Sequence, residues 1–264
     1  MRGKEREYFL KQARTPEDKE FVALIFDKLA LLEREFEPQL TEFLDPHQQF
    51  LATEILRGWS EGGYKFWGGF DWAERQRLVL YPDFLEGQAL NFEIAYLSVK
   101  GNFKFINLKH RDILGSLMGL GIKRKKIGDI LVGEAEAQLL VTEDLADYIT
   151  FQLNKVHQVP VRLKRISMEQ LIIPSDNSKE LRTTVSSLRL DSVLSAAFGM
   201  SRSLIADEIK ADKVALNWQS AINPASEVKE GDVFSLRGKG KGSLLQVLGP
   251  TKKGRIAIIV KVKK

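Results

Sequence analysis

RLDSVLSAAFGMSRSLIADEIKADK, residues 189–213, encodes two short helices and the turn between them. Gly199 supplies the permissive residue that ends a first helix at Phe198, and Ser201 is an N-cap for a second helix running to about Ala211. The spacing puts Leu204, Ile205 and Ile209 on a buried arc, while Arg202, Ala206 and Lys210, four residues apart, share one flank. A tight helical hairpin with cations beside an apolar seam follows. Strands are expected at 181–186, 213–216, 228–236 and 255–261, with a glycine-lysine loop after the third of them.

Charge concentrates around this hairpin. Residues 181–264 hold 15 Lys or Arg against 7 Asp or Glu, whereas the rest of the chain holds 25 against 28. From Arg237 to the end there is no carboxylate side chain at all. A one-sign surface of this kind grips phosphates with a steep salt dependence; a solvated basic tail is the plainer alternative. Arg189, Ser201, Arg202, Lys210, Lys213, Arg237, Lys239 and Lys241 are the expected RNA contacts, joined into a continuous surface if the strands pack alongside the helices.

Composition narrows the remaining classes. A chain of 264 residues, 44% hydrophobic, can bury substantial cores in two or three domains. The absence of cysteine excludes disulfides and thiolate zinc sites. The charged N-terminus has no signal-peptide core, and no run approaches the length of a membrane span. The expectation is a cytoplasmic protein without cofactor, metal or membrane partner, and a monomer; no heptad pattern argues for a coiled coil.

Upstream, 1–72 reads as a helical region with a hairpin, 73–174 as an α/β domain, and 181–264 as the basic domain. Asp45-Pro46 is a natural helix start. Gly62-Gly63 and Gly68-Gly69 flank a run of aromatics that fits either a hairpin whose rings join a core or a stacking platform for bases. From 92 the order is strand 92–99, helix 110–120, strands 128–132 and 136–141, helix 143–156 and strand 159–166. That βαββαβ order is ferredoxin-like, the architecture of RNA-recognition motifs, but the two stacking rings on the central strands are missing. The fold class is therefore α+β.

Gly115 and Gly119 lie four apart on the helix at 110–120, which implies close approach of another backbone, either a neighbouring strand or RNA. Arg111 and the basic turn Lys123, Arg124, Lys125 and Lys126 form a second RNA contact or a solvated loop. His110 with Arg111 and Asp112 cannot make a proton relay, because adjacent helical residues diverge, and His47 and His157 have no evident ligand set.

Arg189-Leu190-Asp191, Ser201-Arg202-Ser203, Ile209, Val214, Asn217 and Val228-Lys229-Glu230-Gly231-Asp232 resemble the RNA-binding domain named for ribosomal protein S-four, the αL motif. Asp212 departs from it, standing where that domain usually has glycine; aspartate tolerates a left-handed backbone better than most residues. The block from Lys109 to Val132, with Arg237 to Lys241 and Thr251 to Arg255, is similar to the YlmH family, some of whose relatives carry a photosystem II label. The resemblance implies an N-terminal helical region, an RNA-recognition-like middle domain and a C-terminal αL domain. It further implies binding to rRNA on the large ribosomal subunit, near tRNA, in translation or ribosome quality control.

Two other classes compete. Arg189-Leu190-Asp191 also resembles the motif around the catalytic aspartate of pseudouridine synthases, an RNA-modifying alternative. The chain after Asp191 is too short for that catalytic fold, and Leu188 replaces the preceding glycine. The other alternative is a protein adaptor in cell division or photosystem assembly. The expectation is a non-catalytic RNA-binding protein with no preference for DNA.

Overall fold

The computed structural model describes residues 2–13, 15–103, 106, 108–133, 136–173 and 178–263. It forms two compact units, Met1–Pro174 and Ser175–Lys264. The expected boundary at 174–178 falls almost wholly outside the described residues.

The first unit opens with helices α1 (Arg2–Gln12) and α2 (Pro16–Glu35). The first was not anticipated, because its charge density hid the apolar side formed by Phe9 and Leu10. Thr15 caps α2 by accepting from the Asp18 amide, Pro16 occupies its first turn, and Phe21, Val22, Ile25, Phe26, Leu29 and Leu32 form its buried face. Strand β1 (Gln39–Leu40) leads to α3 (Pro46–Leu56), where Asp45 and Gln48 make a reciprocal capping box. Strands β2 (Gly63–Trp67) and β3 (Arg77–Tyr81) complete a three-stranded sheet in the order β1-β3-β2. The expected division at 72/73 therefore runs between two hydrogen-bonded strands.

A second sheet follows from β4 (Ile94–Gly101), α4 (His110–Gly119), β5 (Ile127–Val132), β6 (Glu136–Thr142), α5 (Ala146–Gln152), β7 (Lys155–Val156) and β8 (Val159–Ile166). Its order is β5-β6-β4-β8-β7, all neighbours antiparallel, as a ferredoxin-like βαββαβ unit requires. Both helices cover one face, burying Ile113, Leu117 and Ile149 against Leu97, Val99, Leu139 and Val141. The helix expected over 143–156 is shorter. It ends at Gln152, and Val156 pairs with Val159 across a turn that holds His157 at φ 52°. Of the expected Gly133-Glu134 turn, Glu134 lies outside the described residues.

The N-terminal region covers part of the outer face of this sheet. Phe43, Phe70 and Ala73 pack on Leu131, Leu140 and Tyr96. Gly128 makes room for this: a Cβ there would lie 2.6 Å from the Phe43 ring. Polar bonds surround the seam. Arg75 donates to the carbonyls of Phe43 and Ile127, Asp129 accepts from the Glu74 and Arg75 amides, and buried Arg77 donates to the carbonyls of Thr41, Phe92 and Glu93. The glycine-aromatic run is thus a hairpin whose Phe70 joins a core.

The second unit contains β9 (Lys179–Val185), α6 (Leu190–Phe198), α7 (Arg202–Lys210), β10 (Val214–Leu216), β11 (Gln219–Ser220), β12 (Val233–Leu236), β13 (Gly240–Pro250) and β14 (Ile256–Lys263). Gly199 caps α6 at φ 66° and Ser201 caps α7, as the sequence implied. Leu204 is exposed, however, and only Ile205 and Ile209 of the expected arc are buried. The strand expected at 228–236 is confined to 233–236, after a turn at Gly231. The glycine-lysine stretch is also not a loop throughout. Gly240, Lys241 and Gly242 belong to β13, and a Cβ at Gly242 would lie 2.7 Å from the Phe234 ring and from the Lys261 carbonyl.

Phe43→Ala is expected to cost about 3–5 kcal/mol, because the ring is fully buried and Gly128 leaves nothing to collapse into its place. Thermal unfolding measures it; a loss of less than about 1 kcal/mol would show that the seam is not tightly packed.

Candidate nucleic-acid interface

The expected cations of the second unit fall into distinct groups. In the first, Asp191 sits in the opening turn of α6, its side chain almost wholly buried, and both oxygens accept from Arg202 at 3.0 and 2.9 Å. Arg189 donates to the same carboxylate at 3.3 and 3.0 Å, and Arg202 also reaches Ser186. Burial opposes ionisation of Asp191, but hydrogen bonds and charge from Arg189 and Arg202 outweigh it, and its pKa lies below the ordinary value. The pairing raises the Arg189 pKa in turn. The partner eleven residues away is set by the helical hairpin, not by sequence spacing. With both oxygens engaged, this carboxylate organises the two guanidiniums.

The second group lines a cleft of about 590 Å³, where Lys213, Arg237, Lys241 and Lys263 surround Asp212 and Ser220. Asp212 adopts the left-handed conformation expected of it, at φ 56°, and the Ser220 hydroxyl donates to its carboxylate. Lys213 pairs with Glu208 at 2.9 Å. Arg237 and Lys239 are exposed in the turn between β12 and β13, where the Arg237 amide bonds to the Lys213 carbonyl. Lys263 was not among the expected site residues, although it lies in the carboxylate-free terminal block. Lys210 belongs to neither group and faces Asp207 at 3.9 Å. Ser201 acts on the backbone, accepting from the Leu204 amide, and shares a hydrogen bond with Ser203.

The expected second contact is divided between structure and surface. Arg124 is turned inward, donating to the carbonyls of Ile127 and Gly128, and burial together with nearby Arg75 lowers its pKa to about 10. Lys126 bridges Glu42 and Asp144 at 3.0 and 2.8 Å. Lys123 and Lys125 remain exposed. Arg111 lies on a separate groove of about 690 Å³, with Ser116, Lys155 and His157. There His157 pairs with Asp112 at 3.0 Å, a partner the sequence did not reveal.

The glycines of α4 are not explained by a neighbouring strand. A Cβ at Gly115 or Gly119 would meet nothing within 4 Å, so both face open space on this helix. The sheet offers little for base stacking, for a physical reason. Tyr96, the ring on central strand β4, is half-buried and packed with Phe43 and Phe70. Among the described residues no His, Asp and Glu side chains are grouped to hold a metal ion, and no helix is long and apolar enough to cross a membrane.

Comparison with known proteins places three family matches on this architecture. Residues 17–85 match "YlmH, N-terminal", 88–170 match "Putative RNA-binding domain in YlmH", and 188–234 match "S4 domain". The "Ribosome-associated protein quality control protein P2" of Bacillus subtilis (strain 168) is 35% identical over 239 residues, covering 90% of this chain and 93% of that protein. The solved "Cell division protein ylmH from Streptococcus pneumoniae" is 30% identical with a TM-score of 0.52, covering 61% of this chain and 97% of that one.

Asp191→Asn removes the charge that both guanidiniums face. Native Asp191 titrates below its unfolded value of 3.8, so its stabilisation is present above that pH and lost as pH falls through the depressed native pKa. Urea titrations should find the variant less stable at about pH 7 and equal to wild type once both states are protonated. A stability gap that persisted in acid would show that charge is not what holds the arginines.

Proposed function

The chain belongs to the YlmH family, and from that premise we propose that it is a non-catalytic RNA-binding protein that grips structured rRNA on the large ribosomal subunit. The S4 domain is the primary contact, acting in the cytoplasm as a monomer in translation or ribosome quality control. The observation that carries this reading is the cleft of about 590 Å³ rimmed by Lys213, Arg237, Lys241 and Lys263. Four cations around one concavity, with a single carboxylate engaged by Ser220, make a local field that attracts phosphates.

The Asp191 cluster complements it in a different way. A guanidinium already fixed by a buried carboxylate loses little side-chain entropy when it meets a phosphate, and Arg189 and Arg202 remain nearly half exposed. Ribosome association is supported by the name of the Bacillus relative. The middle region supplies a second contact, with tRNA or another rRNA element, matching a domain described by its RNA binding.

Arg237→Glu with Lys239→Glu tests the grip without touching the Asp191 cluster, because both side chains are exposed in a turn. Co-sedimentation with purified ribosomal subunits across a salt series should show selective binding to large subunits by wild type. The variant should bind at least about tenfold more weakly, with a salt slope lower by roughly one to two. Equal affinity for both subunits, or a variant indistinguishable from wild type, would remove the large-subunit reading or the cleft respectively.

A further inference from the structure

The outer face of the middle sheet is only partly closed, and what remains open is basic. Cross-strand register orders that face in three rows. Leu140, Tyr96 and Ile166 align across β6, β4 and β8, then Gln138, Ser98 and Lys164, then Glu136, Lys100 and Arg162. Leu140 and Tyr96 of the first row pack with Phe43 and Phe70. Over the second, the segment after β8 crosses the strands: Gln138 donates to the Gln170 carbonyl and accepts from the Ile172 amide, leaving Gln138 and Ser98 buried. Only the β8 side of the second row and the third row face solvent.

On β8, Val159, Val161 and Leu163 turn into the helical core, so Arg162 and Lys164 alternate onto the outer face. Both are exposed, and among the described residues neither is held by a carboxylate. Lys100 stands directly opposite Arg162, a like-charge pairing that costs stability in a sheet. The adjacent carboxylate, Glu136, is already occupied by Ser98 at 3.0 Å, Gln138 at 3.2 Å and Lys100 at 3.3 Å. It anchors Lys100 and leaves Arg162 and Lys164 unopposed. Among the described residues, Glu136 offsets only the Lys100 member of this cluster.

We propose that Lys100, Arg162 and Lys164 form a phosphate-contacting strip on the open margin of the middle sheet, by which this domain binds the RNA backbone without base stacking. The inference rests on the reading of the chain as a ribosomal RNA binder and adds the surface its middle region uses. Two cations on alternate residues of one strand are roughly 7 Å apart, with the third on the neighbouring strand roughly 5 Å away. A flat row of this kind meets successive phosphates of one strand, and contributes affinity and salt dependence without sequence readout. The packing of Phe43 and Phe70 on the first row disfavours the ring-stacking mode by which RNA-recognition sheets read bases. The rows themselves supply no exposed apolar anchor between the charges, although Met168, Ile172 and Ile173 are exposed on the segment beside them, so a protein partner is an outcome of the test.

The test uses the full-length chain with two paired variants, Arg162→Glu with Lys164→Glu and Arg162→Ala with Lys164→Ala. Both are compared with wild type and with Arg237→Glu plus Lys239→Glu. The probes are purified large subunits and protein-free rRNA extracted from them, each titrated across salt, with thermal unfolding as a check on folding. The β8 variants are expected to be at least as stable as wild type, since they relieve the Lys100–Arg162 repulsion, and to lose affinity for both probes, the reversal by about tenfold and more than the alanine pair, with a salt slope lower by roughly one to two. If the β8 variants match wild type while the Arg237 variant is impaired, the strip is overturned and the ribosomal reading stands. Binding lost to subunits yet unchanged on protein-free rRNA would assign the strip to a ribosomal protein and overturn its RNA role. If wild type binds neither probe, both readings fall together.

Discussion

The packing of Phe43 and Phe70 onto Leu140, Leu131 and Tyr96 is the constraint from which the functional geometry of the first unit follows. A ferredoxin-like sheet covered by helices on one side offers its other side to a partner, and here much of that side is occupied from within the chain. Aromatic burial of this size stabilises by several kcal/mol and cannot be undone by a ligand offering one or two stacked bases, each of which contributes about 1–3 kcal/mol. The domain therefore keeps the topology of a base-stacking platform while its surface chemistry shifts to the margin.

Much of the basic turn after α4 is spent on that seam. Arg124 and Arg75 converge on the Ile127 carbonyl, Asp129 caps the Glu74 and Arg75 amides, and Lys126 bridges Glu42 and Asp144. Burial lowers the pKa of all three arginines in this region, Arg75, Arg77 and Arg124, and raises that of Asp129. Groups desolvated in this way are structural: their hydrogen bonds replace water, and removing one partner leaves a buried charge uncompensated. Arg189 is the opposite case, exposed and raised in pKa by a carboxylate that leaves its outer side free.

Local signals carried most of the fold. Asp45-Pro46, Gly199 and Ser201 set helix ends through hydrogen bonds within four residues, and the alternation from 92 onward fixed the order of the middle sheet. Asp212 was readable in the same way, since its left-handed turn is a local demand. Features decided by distant contacts were not readable. Strand β13 was obscured because Gly240 and Gly242 look like loop residues, yet Gly242 is small because Phe234 and Lys261 lie against it. The end of α5 depended on the left-handed turn at His157, and the Asp191 cluster on a chain reversal that brings Arg202 beside Arg189. The seam itself joins residues some ninety positions apart, which no periodicity reports.

The distribution of charge separates two uses of the same residue types. A cation whose carboxylate is buried beside it is held in place and can present its remaining donors with little loss of freedom, as Arg202 does. A cation in an open row, such as Arg162, gains most when counterions are released on meeting phosphate, so its contribution falls as salt rises. Net charge sums both kinds together with inward arginines that touch no ligand, which is why +5 for the whole chain says little about where RNA is met. Exposure and partner, read residue by residue, distinguish the cations that build the protein from those that face its target.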